Sequence, residues 1–241
     1  MTHTHCSPPM TTAASMFPDW DGNTSASRTL QSGLAAQLVL RDKFAKPLRT
    51  VAGFDVGYEE DGAITRAAAV LLDANTLGVI ASEVARLPTR MPYIPGLLSF
   101  RELPALLAAL ALLPEAPDLA FVHGHGIAHP RRLGIAAHFG AVTGLPSIGV
   151  AKKVLVGDTR TNLHDMRGAF TPLRQDAEQI GWVLRSKPLC LPLIVSPGYR
   201  VAMASTPELV MRYVTTYRLP ETTRLADRLA SRRDRTASAS S

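Results

Sequence analysis

Three apolar runs in close succession constrain this chain more than any other feature: RTVAGFDVGYE at 49–59, ITRAAAVLLD at 64–73 and GVIASEVARL at 78–87. Each has the length of a strand, and only short turns, at Asp61-Gly62 and near Asn75, separate them. That spacing predicts an antiparallel meander. The pattern then changes to a helix over 99–113, a strand over 118–122, a helix over 131–142 and the strand SIGVA over 147–151. QIGWVLRS and PLIVSPGYRV read as two more strands, and helices over 206–216 and 221–233 follow. Three antiparallel strands followed by βα units make an α/β fold: a mixed sheet with helices on both faces. One further helix is expected ahead of the meander, over 29–46.

Hydrophobic residues make up 46% of the 241, enough for one well-buried domain, placed at 29–233. Residues 1–28 are rich in Ser, Thr and Pro without apolar period, so a disordered N-terminal tail is expected there, with a short one at 234–241. No apolar run reaches the roughly 18 residues of a membrane span, and no basic region precedes an apolar core at the start, so a cytoplasmic protein is expected. The two cysteines, Cys6 and Cys190, are far apart in the chain, as suits a reducing compartment. The net charge is +6. Part of it sits in RLADRLASRRDR, either a solvated tail or a contact for a polyanion.

Several residues carry possible chemistry, each with a plainer reading beside it. Asp55, in GFDVGY, is an acid inside an apolar strand. It is a strand-end turn residue or a ligand for a hard cation. Glu102, in SFRELP, completes a capping box from Ser99 or faces Asp55. MPYIPG at 91–96 is a loop stiffened by Pro92 and Pro95. Its tip, Tyr93 and Ile94, either packs on the core or wedges between stacked bases. His123, His125 and His129 lack the ligand spacing of a zinc site, and His138 is expected to pack. Gly124 and Gly126 suggest close backbone approach to something flat or anionic. Lys152, after a short strand, is a surface residue or holds a phosphate in the cleft beyond it.

Six of these segments taken together resemble the endonuclease V family: GFDVGY, TRAAAVLL, MPYIPGLLSFRE, GHGIAHPRRLGIAAHFG, SIGVAKK and YRLPETTRLAD, in that order from about 49 to 229. The resemblance implies an RNase H-like fold. It also implies a DNA-repair enzyme that recognises deoxyinosine and, with Mg²⁺, hydrolyses the second phosphodiester bond 3′ to it, leaving 3′-hydroxyl and 5′-phosphate ends. It makes Asp55, Glu102 and Lys152 the catalytic residues, and Asp55, Glu102 and His123 the metal positions. It makes Pro92, Tyr93, Ile94 and Pro95 the wedge, and Gly124, His125 and Gly126 the pocket for the flipped base. Damaged DNA is the expected partner, with inosine-containing RNA as a further substrate, and a monomer is expected.

Two positions depart from the family pattern. His123 stands where the family has a metal-binding aspartate, and Tyr199, in SPGYRV, stands where it has a histidine. Imidazole in place of a carboxylate weakens Mg²⁺ binding more than Mn²⁺ binding, because Mg²⁺ prefers hard anionic oxygen. A tyrosine hydroxyl in place of a histidine is a poor base at neutral pH. The second reading is therefore a protein that binds inosine-containing DNA and cuts it poorly.

Overall fold

The computed structural model describes residues 22–231. Its eight strands are β1 (Thr50–Glu59), β2 (Ile64–Asp73), β3 (Val79–Pro88), β4 (Leu119–His123), β5 (Ser147–Ala151), β6 (Phe170–Gln175), β7 (Glu178–Leu184) and β8 (Leu193–Tyr199). They form one sheet in the order β3-β2-β1-β4-β5-β8-β7-β6. The expected meander is present: β1 pairs antiparallel with β2, and β2 with β3. On its other side β1 pairs parallel with β4, and β4 with β5. The sheet is thus mixed, as the sequence pattern implies.

Helices α1 (Thr24–Ala35), α2 (Leu98–Ala111), α3 (Ile135–Thr143), α4 (Thr206–Arg212) and α5 (Glu221–Ala230) surround it. β1 is central and covered on both sides, which is why its sequence is apolar on both parities. Ala52 and Phe54 pack with Leu103 and Leu106 of α2 and Phe139 of α3, the two rings lying 4.8 Å apart. Val51 belongs to the opposite core, with Val210, Tyr213 and Ala226 of the α4–α5 side. Each such Val, Leu or Phe side chain contributes about 1.5–3 kcal/mol by leaving water. On that second face β1 is nearly bare. A Cβ on Gly53 would lie 1.9 Å from the Thr222 carbonyl oxygen, and one on Gly57 would lie 2.6 Å from that of Ala230. Helix α5 therefore lies directly on the strand backbone, a contact that no side-chain-bearing residue permits.

Several expectations are corrected. Helix α1 begins at Thr24, capped by the Asn23 side chain, inside the segment read as disordered. It ends at Ala35 rather than near 46, because the following chain bonds elsewhere. Lys43 N–H donates to Arg200 O, Arg200 N–H to Val39 O, and the Asp42 carboxylate accepts from Ala202 N–H. Strand β6 was not foreseen, since Pro172 interrupts its run; proline is tolerated there because β6 is the sheet edge. Part of the basic run read as a tail is α5, with Ala226 and Ala230 buried. Residues 1–21 and 232–241, which hold the rest of the expected N-terminal tail, all of the C-terminal one at 234–241 and Cys6, lie outside the described residues. Cys190 is a free thiol. No helix among the described residues is long and apolar enough to cross a membrane.

Candidate active site

The parallel pairing of β1, β4 and β5 stops at one end of the sheet, while β1 continues beside β2 to Glu59. Phe54 lies beside Val122, and Val122 beside Gly149. The next residues, Asp55 and His123, therefore emerge side by side, and Lys152 follows the end of β5. This is where open α/β sheets place their ligands. Asp55 points to the same side of β1 as Gly53 and Gly57. The helix those glycines admit delivers a residue the sequence reading had passed over, Asp227.

The four side chains form one chain of contacts. Asp55 Oδ1 accepts from the Val56 N–H at 2.7 Å, and Asp55 Oδ2 lies 2.8 Å from His123 Nδ1. His123 Nδ1 is 3.7 Å from Asp227 Oδ1, which accepts from Lys152 Nζ at 2.9 Å. Burial pushes the Asp55 carboxyl above its ordinary range, against the pull of His123. Burial also acts to raise Asp227, but the hydrogen bond and charge of Lys152 hold it below the usual carboxylate value. One donor atom from each of Asp55, His123 and Asp227 falls within 4.8 Å of the others. Ligand bonds of about 2.1 Å put opposite donors about 4.2 Å apart, so small side-chain adjustments let this set hold one divalent ion.

Glu102 approaches from the other face of β1, on the first turns of α2. Tyr58 OH donates to its Oε1 at 3.0 Å, and the Arg101 guanidinium covers the Tyr58 ring at 4.4 Å. Burial, aided by the charge of Asp55, pushes Glu102 up to about 7. Glu102 shares the cleft with Asp55 and His123 but is not in the three-residue donor set, where Asp227 stands instead. The capping box is corrected as well. Leu97 caps α2 without a side-chain bond, while Ser99 is buried, its hydroxyl 3.0 Å from His138 Nδ1. Burial among apolar neighbours takes His138 down to about 3.

The loop MPYIPG forms the cleft's outer rim. Tyr93 is 64% exposed and lines the opening; Pro92 and Pro95 are exposed and Ile94 half-buried. Gly124 lines the cleft at φ +139, and a Cβ there would meet Ile135 at 2.5 Å. His125 also lines it, its Nε2 3.0 Å from the Lys153 carbonyl. Gly126 is corrected: it is buried, its N–H donates to Ser196 Oγ, and a Cβ would sit 2.2 Å from Pro197 O. It meets the backbone of β8, not a ligand. The three histidines of H-x-H-x₃-H all line the cleft, but only His123 belongs to the three-residue donor set; His125 meets the Lys153 carbonyl and His129 accepts from the Arg131 N–H. Tyr199 is corrected too. It pairs with Ser147, at the start of β5, roughly 13 Å of strand from the end that bears Lys152. The loss of a histidine there leaves the cleft untouched.

Comparison with known proteins agrees with this fold. The family model for endonuclease V matches residues 32–228. The endonuclease V of Azotobacter vinelandii is 66% identical over 219 residues, covering 91% of this chain and 98% of its own length. The crystal structure of the Streptomyces avermitilis endonuclease V superposes with a TM-score of 0.83 at 40% identity, covering 89% of this chain and 94% of that one. A more distant endonuclease V, from Ciona intestinalis, was solved with a 24-mer DNA containing an inosine followed by a ribo-adenosine. It shares the fold at 22% identity and a TM-score of 0.74, covering 87% of this chain and 97% of that one. Matched along nearly its whole described length, the chain belongs to the endonuclease V family.

Proposed function

We propose that the chain is a metal-dependent DNA-repair endonuclease that hydrolyses the second phosphodiester bond 3′ to deoxyinosine, with Asp55, His123 and Asp227 holding the ion. The observation that carries this reading is the placement of Asp55, His123 and Lys152 in one cleft with the exposed Tyr93, with an Asp227 oxygen within 4.8 Å of the Asp55 and His123 donor atoms. A bound divalent ion supplies Lewis-acid activation of water and charge neutralisation at the scissile phosphate. The protein's own groups do the rest. Lys152, held by Asp227, places an ammonium at the cleft edge to meet a phosphate oxygen. Glu102, near neutrality at about 7, can take up or release a proton at physiological pH. Tyr93, at the tip of a proline-stiffened loop, fills the gap left when a base leaves the stack. The glycine turn at 124 and the loop end at Gly96 give the extruded base backbone walls.

His123 sets the metal preference. An imidazole carries no negative charge in either protonation state, so the site offers two carboxylates and one nitrogen. Such a set favours Mn²⁺ over Mg²⁺. The same substitution supports a second reading, lesion binding with slow cutting, because His123 engages the Asp55 oxygen at 2.8 Å. Inosine-containing RNA, which also splays its bases, fits the same cleft, and a single chain contains every residue of the site.

The test is nicking of a duplex with one deoxyinosine in Mg²⁺ and in Mn²⁺, with Asp55→Ala as control. Cutting at the second bond 3′ to the lesion, faster in Mn²⁺ and abolished by Asp55→Ala, supports the enzyme. Tight lesion binding with no cutting in either metal supports the second reading.

A further inference from the structure

Helix α1 has an unusual buried residue. Gln31 is its one fully buried side chain and is completely shielded from solvent. A buried amide must satisfy each of its polar atoms, and the partners of Gln31 lie on two different segments. Its Nε2 donates to Gly96 O at 3.1 Å and to Leu133 O at 3.0 Å. Its Oε1 accepts from Arg131 Nε. Arg131 closes the circuit, with Nη2 donating to the same Gly96 carbonyl at 2.7 Å.

Gly96 and Gly134 both line the cleft, from two separate segments of the chain. Gly96 ends the loop that bears Tyr93 and precedes α2, which carries Glu102. Gly134 follows Leu133 and opens α3. Gly96 is in the left-handed region at φ +79, and a Cβ there would lie 2.6 Å from Arg131 Nη2. The guanidinium thus occupies the space that any other residue type would fill. Two backbone walls are joined through one amide and one guanidinium, neither of which lines the cleft.

We propose that Gln31 and Arg131 are positioning residues that fix the width of the base pocket and the seat of the Tyr93 loop, so that helix α1 takes part in lesion recognition. This rests on the reading of the cleft as a deoxyinosine site. The planar fork of arginine makes the two bonds to Gln31 and Gly96 at fixed angles; a lysine ammonium cannot keep both. With either residue changed, Gly96 O loses a donor and the walls move independently. Selection of the lesion suffers, while the metal donors on β1, β4 and α5 stay in place.

The experiment compares Gln31→Met, which keeps side-chain length without polar atoms, and Arg131→Lys with the parent on duplexes with and without deoxyinosine. Steady-state cutting should show KM for the lesion duplex rising about tenfold with kcat within about twofold. In an Asp55→Ala background, the fluorescence of a 2-aminopurine 3′ to the lesion should lose most of its binding-induced rise. A merely structural role would lower the melting temperature and leave KM and the fluorescence change of the folded protein intact, which overturns the proposal. A fall in kcat at unchanged KM in both variants also overturns it. A parent with no preference for the lesion refutes the deoxyinosine reading and the clamp's role with it. A selective parent with equally selective variants refutes the clamp alone.

Discussion

Replacing His123 by aspartate tests the metal site through stability as well as turnover. The new carboxylate enters where Nδ1 now lies 2.8 Å from Asp55 Oδ2 and 3.7 Å from Asp227 Oδ1. Two like charges about 4 Å apart repel by roughly 4 kcal/mol at an effective dielectric near 20. The Asp55 pair feels most of this, because those side chains are 18% and 9% exposed; Asp227, at 33%, is screened further. Without metal, His123→Asp should lose stability on the order of 4 kcal/mol, a fall of about 10 °C for a domain of this size. A cation that binds only the folded state offsets that loss, by about 2.7 kcal/mol at a concentration of 100 Kd. Calorimetry of parent and variant, with Mg²⁺ and Mn²⁺ titrated into each, reads every part. Mg²⁺ should bind the variant at least about tenfold more tightly than the parent, with a smaller gain for Mn²⁺. An unchanged metal-free melting temperature together with an unchanged Mg²⁺-to-Mn²⁺ affinity ratio would refute the placement of His123 in the donor set.

Four further outcomes are expected. Glu102 has its folded pKa raised to about 7, so its contribution is fully present below its unfolded pKa of about 4.3 and is lost as pH rises through 7. In metal-free urea titrations Glu102→Gln should therefore gain roughly 3 kcal/mol on the parent between pH 4 and 8, and parallel pH profiles would contradict this. Gly53→Ala drives a Cβ toward the Thr222 carbonyl, 1.9 Å away, and should cost about 3 kcal/mol or more and weaken Mn²⁺ binding by shifting α5. Gly33→Ala on α1, with open space around it, should be neutral or stabilising, and both are read by thermal melts and Mn²⁺ titration. Lys152→Met frees Asp227 Oδ1, so calorimetry should show metal binding unchanged or tighter while single-turnover cutting falls about 10²–10³-fold; a parallel loss of metal affinity would show that Lys152 acts by supporting the fold.

The meander and the order of the βα units were legible in the sequence because β1, β2 and β4 carry strand-length apolar runs between clear turns; β6, broken by Pro172, was not. Asp55 and Lys152 were legible from their settings: one is an acid inside an apolar strand, the other a cation just past one. Asp227 was not. It lies on the exposed-looking run RLADRLASRRDR, whose small buried residues, Ala226 and Ala230, give a weak apolar stripe. The signal for it was elsewhere, in Gly53 and Gly57 flanking Asp55 at alternate positions. Glycines on one side of a central strand mean that another backbone lies against it. Ser99 misled for a related reason. The S-x-x-E spacing suits a capping box, but a buried histidine from α3 competed for the hydroxyl. Tyr199 misled because its motif carries no information on which end of its strand faces the cleft; only the pairing with Ser147 gives that.

The glycine bed on β1 has a consequence for the order in which the molecule becomes competent. Asp55 and His123 are synthesised by about the midpoint of the chain, whereas Asp227 arrives on the last described helix. A growing polypeptide can form the meander, β4 and the Tyr93 loop while the face of β1 above Gly53 and Gly57 is still uncovered. At that stage it has a place for a displaced base but an incomplete ion site. Competence to cut then waits on the seating of α5, and a chain stopped before Glu221 would keep the cleft and lack the hydrolytic centre.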